Sequence, residues 1–329
     1  MNLIKKNRKV MTLLSTSALA ISLGNSVAQA NQPGPVELVD ALNNTFGLHN
    51  GMRASHAKGL CIKGSFEPGS ELRRSTLATL FAGPQLDAIG RFSIGGGNPA
   101  ASDKSRTVRG MSLRIGGQYD LVLISEPVFF AATPESFVSF LQARVPDPQT
   151  RRPDPDKIAA HNIRYPDGKA QPQLLAQHPA PASYATTPYF STHAFRFEPA
   201  QGNAEWMRLS LQPEAGTHYL DTAAEANLPD SFLTDELGNR LLYAPVTFQL
   251  IGQLRGPKDS LIDSTQIWQS REQRILGRLS VTALADSSVC DSITFLPTTL
   301  PQGIEPADDP ILKARAAAYA ISLGKRQEK

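Results

Sequence analysis

The chain has 329 residues, 41% of them hydrophobic and 19% charged, with 33 basic against 30 acidic side chains. That length can bury a large core, as one big domain or two, and so even a charge balance offers no basic patch for nucleic acid. Two cysteines are too few for a zinc or iron–sulfur site built on thiolates.

In chain order, Lys5, Lys6, Arg8 and Lys9 come first, then a short apolar run over residues 11–23, then Ala28-Gln29-Ala30 as a small-residue cleavage site. This is the pattern of an export signal, and the run is too short and serine-rich for a permanent membrane span. The expectation is cleavage after Ala30, a mature domain over residues 31–329, and a periplasmic or otherwise exported protein. Without the leader's four basic residues the mature chain has 29 basic against 30 acidic side chains, and no later apolar segment points to a membrane. Cys61 and Cys290 could pair in an oxidising compartment, but their wide separation, and Cys61's place in an apolar strand-like run, are weak ground for a bridge.

Apolar spacing at Val36, Val39, Leu42 and Phe46 predicts a helix over 36–46. Strand-like segments follow at 59–66, 88–94, 107–115 and 121–130, broken by glycine and proline. Residues 134–143 read as a helix with Phe137, Phe140 and Leu141 on one face. Residues 145–190, rich in proline and polar residues, read as a long connection with short helical pieces. Strand patterns resume at 192–197 and 206–211, helical ones at 219–226 and 228–240, and strands again at 245–254 and 278–285. Eight strands in two runs of four suit an α+β fold: a closed antiparallel barrel with surrounding helices, able to hold a ligand at its mouth.

Near the end of the chain, Asp309-Pro310 reads as a helix start, because the carboxylate can cap free N–H groups and proline's φ suits the first turn. Arg315 and Tyr319, four residues apart, share a face of that helix. A guanidinium beside a phenol favours its charged form; the plain alternative is a hydrogen-bonded pair on a docking helix. Near the other end, His56 in Arg53-Ala54-Ser55-His56-Ala57-Lys58-Gly59 has the chemistry of an acid/base group, although such a histidine is often merely structural. On the second strand Arg91 and Ser93 point to one face.

These segments, taken together, resemble the haem catalase family in the family's own order. His56-Ala57-Lys58-Gly59, Gly64-Ser65-Phe66-Glu67, Arg91-Phe92-Ser93, Val108-Arg109-Gly110, Pro127-Val128-Phe129-Phe130, Thr192-His193-Ala194-Phe195-Arg196-Phe197 and Leu300-Pro301-Gln302-Gly303-Ile304-Glu305-Pro306 are collinear with it, and Arg315/Tyr319 follow. The resemblance implies the catalase-like eight-stranded barrel with a C-terminal haem-ligand helix, and haem b as cofactor. It makes His56 the catalytic histidine on the peroxide side, Ser93 the residue that orients it, and Tyr319 the iron ligand, as tyrosine is in catalases. Arg315 is then the partner of that tyrosine. Arg53, Arg91 and Arg326 hold the haem propionates, Phe129, Phe137 and Phe140 line the peroxide pocket, and His193 supports the face of the tyrosine.

There are departures from the family. The place of an asparagine that helps hold peroxide is taken by Ile124, followed by Ser125 and Glu126, either of which could substitute. Ser55 replaces a valine. The long N-terminal arm and the helical region after the tyrosine helix have no counterpart, as in the small catalase-related peroxidases, which favours a monomer or homodimer. The implied function is a peroxidase that reduces hydrogen peroxide or organic hydroperoxides with small-molecule electron donors, with low or absent dismutation. The alternative is an exported haem-binding protein without turnover. A third reading, suited to Ile124, is rearrangement of a fatty-acid hydroperoxide.

Overall fold

The computed structural model describes residues 32–327; the export signal and its cleavage site lie outside the described residues. The first helix, α1 (Pro35–Phe46), begins with proline in its first turn and with the Glu37 carboxylate accepting the Gly34 N–H at 2.6 Å. Four strands follow: β1 (Gly59–Pro68), then, after the short α2 (Ser70–Ser75), β2 (Leu86–Ile94), β3 (Arg109–Ile115) and β4 (Tyr119–Ile124). The predicted fourth strand is shorter than the apolar run suggested. Pro127 has no N–H for the ladder, and the Phe129 N–H donates instead to the Ser264 carbonyl at 2.8 Å.

The connection contains α3 (Pro134–Gln142), α4 (Pro155–Arg164) and α5 (Ala170–Ala176). Next come β5 (Tyr189–Phe197), β6 (Glu205–Pro213), α6 (Thr222–Asn227), α7 (Phe232–Leu241), β7 (Val246–Leu254), β8 (Gln273–Ala285), α8 (Ser287–Asp291), β9 (Ile304–Pro306) and α9 (Pro310–Gln327). α6 and α7 are shorter than their apolar spacing predicted, with Pro229 between them. β9 and α8 were not foreseen.

The strands pair antiparallel in the order β4-β3-β2-β1-β8-β7-β6-β5, and β4 meets β5 at Ile124↔Phe190, closing eight strands into a barrel with β9 added alongside β5. Closure removes free edges. The interior is packed with large side chains; Phe66, Phe92, Met111, Tyr189 and Phe248 are each at most 1% exposed. The expected ligand site at the barrel mouth is therefore misplaced. Because side chains alternate along a strand, the inward Phe92, Met111 and Leu123 put Ser93, Gly110 and Ile124 on the outer face.

On that outer side α1 lies against α3 and α9, and Lys325 of α9 pairs with Asp40 of α1. α9 has 18 residues, yet Ile311 and Leu312 are its buried ones; from Lys313 on its described side chains are at least partly exposed. Cys61 and Cys290 do form a disulfide, with Cα atoms 5.7 Å apart. The sequence separation of 229 is no obstacle, because β1 and α8 are neighbours in the fold.

Candidate active site

His56 stands in the loop before β1 with φ of 55°, a left-handed conformation that a residue with a side chain adopts only when its surroundings enforce it. Three contacts enforce it here. Arg91 on β2 donates to the carbonyls of His56 and Ala57, each at 2.8 Å. Ser93, two residues along on the same face, lies 3.0 Å from the imidazole Nδ1. Gly110 on β3 supplies the floor: a Cβ there would come within 2.5 Å of Ser93 Oγ and 2.7 Å of His56 Nδ1. His56 is half-buried, its ring set against Ser93 and Gly110. Burial, then the charges of Arg91 and Arg315, lower its pKa to about 3. It is a neutral base at neutral pH.

Arg53, Arg91 and Arg326 come together as the sequence predicted. Arg53 donates to Asp291 Oδ1 at 3.0 Å and to the Cys290 and Ile293 carbonyls, and Arg326 reaches the Asp291 carbonyl at 3.3 Å. Burial lowers the Arg91 pKa to about 10, and the Arg53 charge adds to this; burial and Arg53 lower Arg326 likewise. Three guanidiniums that repel one another beside a single exposed Asp291 make a site for an anion. The cross-strand partner of Arg91 is Cys61, so the disulfide lies at the centre of this cluster. The sequence marked the arginines and raised the bridge as a weakly grounded possibility, but did not mark Asp291.

On α9, Asp309 accepts the N–H groups of Ile311 and Leu312 at 2.8 and 3.1 Å, the cap its Asp-Pro sequence predicted. Its other oxygen meets His193 Nδ1 at 2.8 Å, an interaction no local pattern revealed. Burial holds the His193 pKa below its ordinary value, and its Nε2 is buried without a partner among the described residues. One turn along, Arg315 donates both Nε and Nη2 to the Tyr319 oxygen. α9 passes the His56 loop: the Ala54 N–H lies 3.4 Å from Ser322 Oγ, and the Arg315 charge acts on His56. The histidine and tyrosine from opposite ends of the chain thus belong to one region.

Beyond β4, Phe129, Phe130, Phe137 and Phe140 form a ladder of half-buried rings with centroids 4.3–6.2 Å apart, carried by the segment after β4 and by α3. Of the two residues expected to stand in for the missing amide, Glu126 is engaged elsewhere, whereas Ser125 is held only as an acceptor. Ser125 Oγ accepts the Arg109 N–H at 3.0 Å, and the buried Glu126 carboxylate is engaged by His178 Nε2 at 3.1 Å.

Comparison with known proteins agrees with this geometry. A family model described as Catalase matches residues 36–327. A catalase-related peroxidase of Synechococcus elongatus is 34% identical over 322 residues, covering 95% of each chain. Another, of Mycolicibacterium paratuberculosis, is 35% identical over 296 residues, covering 88% of this chain and 93% of its own. Catalase A from Saccharomyces cerevisiae, a solved structure, superposes with a TM-score of 0.75 at 21% identity, which speaks for the fold alone; the match covers 84% of this chain and 61% of that one. With the match running from α1 to the end of α9, the chain belongs to the catalase family, in its branch of small catalase-related peroxidases.

Proposed function

We propose that this chain is an exported haem-dependent peroxidase that reduces hydrogen peroxide or organic hydroperoxides with small organic electron donors, with low or absent dismutation. The observation that carries the reading is the convergence of the His56–Ser93 pair, seated on Gly110, with the Arg315–Tyr319 pair of α9. The donor set fits haem b. Tyr319 would ligate the iron, with Arg315 on its oxygen; Arg53, Arg91 and Arg326 would hold the propionates; Phe129 and Phe137 would line the pocket. When bound, the haem supplies the redox-active iron at which the O–O bond is cleaved.

The chain's own residues manage the proton. His56, neutral because its pKa lies near 3, takes a proton from the peroxide and returns it to the departing oxygen, a step typically worth about 10²–10⁴-fold. Ser93 fixes the ring's orientation and Arg91 the loop that carries it. Ile124 has no group with which to hold hydrogen peroxide, and a positioning error costs on the order of 10²-fold. Low dismutation follows from that. The leader pattern and the Cys61–Cys290 bridge support a periplasmic location, since disulfides persist in oxidising compartments. We take the assembly to be a monomer or homodimer, testable by light scattering.

The test is an absorption spectrum of the purified protein before and after peroxide, with dye oxidation and oxygen evolution measured in parallel. Expected are a high-spin, tyrosinate-type ferric spectrum, peroxide-dependent dye oxidation and little oxygen. His56→Ala should lower dye oxidation by about 10²-fold or more. Unchanged oxidation in that variant would turn the reading toward a haem carrier without turnover.

A further inference from the structure

Both tryptophans of the chain lie on one side of the barrel. Met207, Leu209 and Leu211 of β6 point inward, so Trp206 faces out. With Leu261 it packs against a buried cluster of Ala194, Trp268 and Ala307. Trp206 also walls a cleft of about 350 Å³, together with Leu261, Ala307 and Leu312. That volume falls within the range of about 300–1,000 Å³ usual for small-ligand sites. The mouth carries Ile262, 54% exposed, and the Asp308–Lys313 ion pair. Apolar walls with polar groups at one end suit a flat aromatic ring that bears a polar substituent.

The cleft borders the start of α9, the helix that carries Tyr319. From Leu312 to Tyr319 the helix rises roughly 10 Å. Behind the cleft wall, the Arg208 guanidinium lies 4.9 Å from the centre of the Trp268 ring. Arg208 stands opposite Ala194 on β5. Its charge and that of Arg315 both act on His193, which Asp309 holds. Aromatic and charged side chains thus lead from the cleft toward the Arg315–Tyr319 pair.

We propose that this cleft takes the electron donor of the reaction, a phenol or an aromatic amine stacked on Trp206, and that Trp206 passes the donor's electron inward. This rests on the peroxidase reading above and adds a second site, apart from His56. The chemistry balances. One hydrogen peroxide takes up two electrons and two protons as its O–O bond breaks, and leaves as two waters. Trp206 supplies each electron, releases its indole proton with it, and recovers both from a donor O–H or N–H bond. Two donor molecules are therefore oxidised by one electron each. Trp206 rather than Trp268 is the ring oxidised, because the Arg208 cation opposes positive charge on Trp268.

The test uses guaiacol, a small phenol, as the probe. Because both tryptophans border the cleft, guaiacol should quench the fluorescence of the haem-free full chain saturably. Ile262→Arg, a change at the exposed mouth, should weaken that binding about tenfold or more. In the haem-loaded protein with hydrogen peroxide, Ile262→Arg should raise KM for guaiacol by a similar factor. Trp206→Phe, which keeps the wall, should instead lower kcat about tenfold with KM little changed. Peroxide with a nitroso spin trap and no donor should leave an adduct on Trp206 by peptide mass spectrometry, and guaiacol should suppress it. Guaiacol oxidation that persists unchanged in both variants overturns the donor site and leaves the peroxidase reading standing. So does quenching indifferent to Ile262→Arg, or an adduct elsewhere than Trp206. Saturable binding in a protein that oxidises no guaiacol with peroxide overturns the peroxidase reading, and the passage of electrons with it.

Discussion

The imidazole of His56 is held by its neighbours in a backbone conformation that costs about 1–3 kcal/mol. Arg91 latches the carbonyl, Ser93 the ring nitrogen, and Gly110 leaves room for the ring. Gly110→Ala places a methyl group where Ser93 Oγ and the ring now meet. The ring must move, and peroxidase kcat/KM should fall by roughly 10²-fold with haem content retained; stopped-flow assay with Soret quantification checks this. The lowered pKa gives a second prediction. Below a pKa of about 3 the imidazole is protonated and cannot accept the peroxide proton. The acid limb of kcat/KM should therefore lie near or below pH 4, and a limb centred near 6.5, the ordinary histidine value, would contradict the burial described. The sequence showed Val108-Arg109-Gly110 as a motif without a role. The role of Gly110 exists only in the cross-strand register that brings it under His56.

Among the elements, α9 and α8 matter most. Asp309 caps α9 and anchors it to His193 on β5. Asp309→Ala should cost about 0.5–2 kcal/mol for the cap alone, with a further loss because His193 is then buried without either partner. The start of α9 loosens, and the thermal midpoint of the haem-free protein should drop more than for an exposed control such as Asp308→Ala. α8 carries Cys290 and Asp291, which hold Arg53 and Arg326, while Cys61 faces Arg91 across β1 and β2. Replacing both cysteines with serine should lower stability by about 2–4 kcal/mol and speed haem transfer to an apoglobin acceptor. Equal transfer rates in the two proteins would show that the bridge does not set the arginines. The start of α9 and its Arg315–Tyr319 spacing were readable, because caps and i,i+4 spacing are properties of neighbours in sequence. The bridge was not, because cysteine separation says nothing about where β1 and α8 meet.

For the whole molecule, burial of neutral histidines sets how stability responds to acid. His56 titrates near 3 when folded and near 6.5 when unfolded, and burial shifts His193 in the same direction. Between those values the unfolded chain binds more protons, so the stabilisation is complete above about pH 6.5 and is lost as the pH falls toward 3. His56 contributes up to about 1.4 kcal/mol per pH unit in that window, and His193 acts in the same direction. Calorimetry at pH 7 and pH 4.5 should show the drop, and His56→Ala should reduce it; an identical slope in the variant would remove His56 as its source.

The eight strands of the barrel and the helix bearing Arg315 and Tyr319 were legible from period-two and helical spacing, because these patterns record which face of each element is buried. The collinear motifs marked His56, Ser93, Arg91 and the Arg315–Tyr319 pair, which the fold brings into one region. Tertiary structure alone decided that the barrel is filled and the site lies on its outer face, that Gly110 lies under the His56 ring, that Glu126 is engaged by His178, and that Cys61 and Cys290 join beside the arginines. The physical reason is one of range: alternation and capping are settled by residues a few positions apart, whereas register, closure and counter-ions depend on which distant strands come to lie side by side.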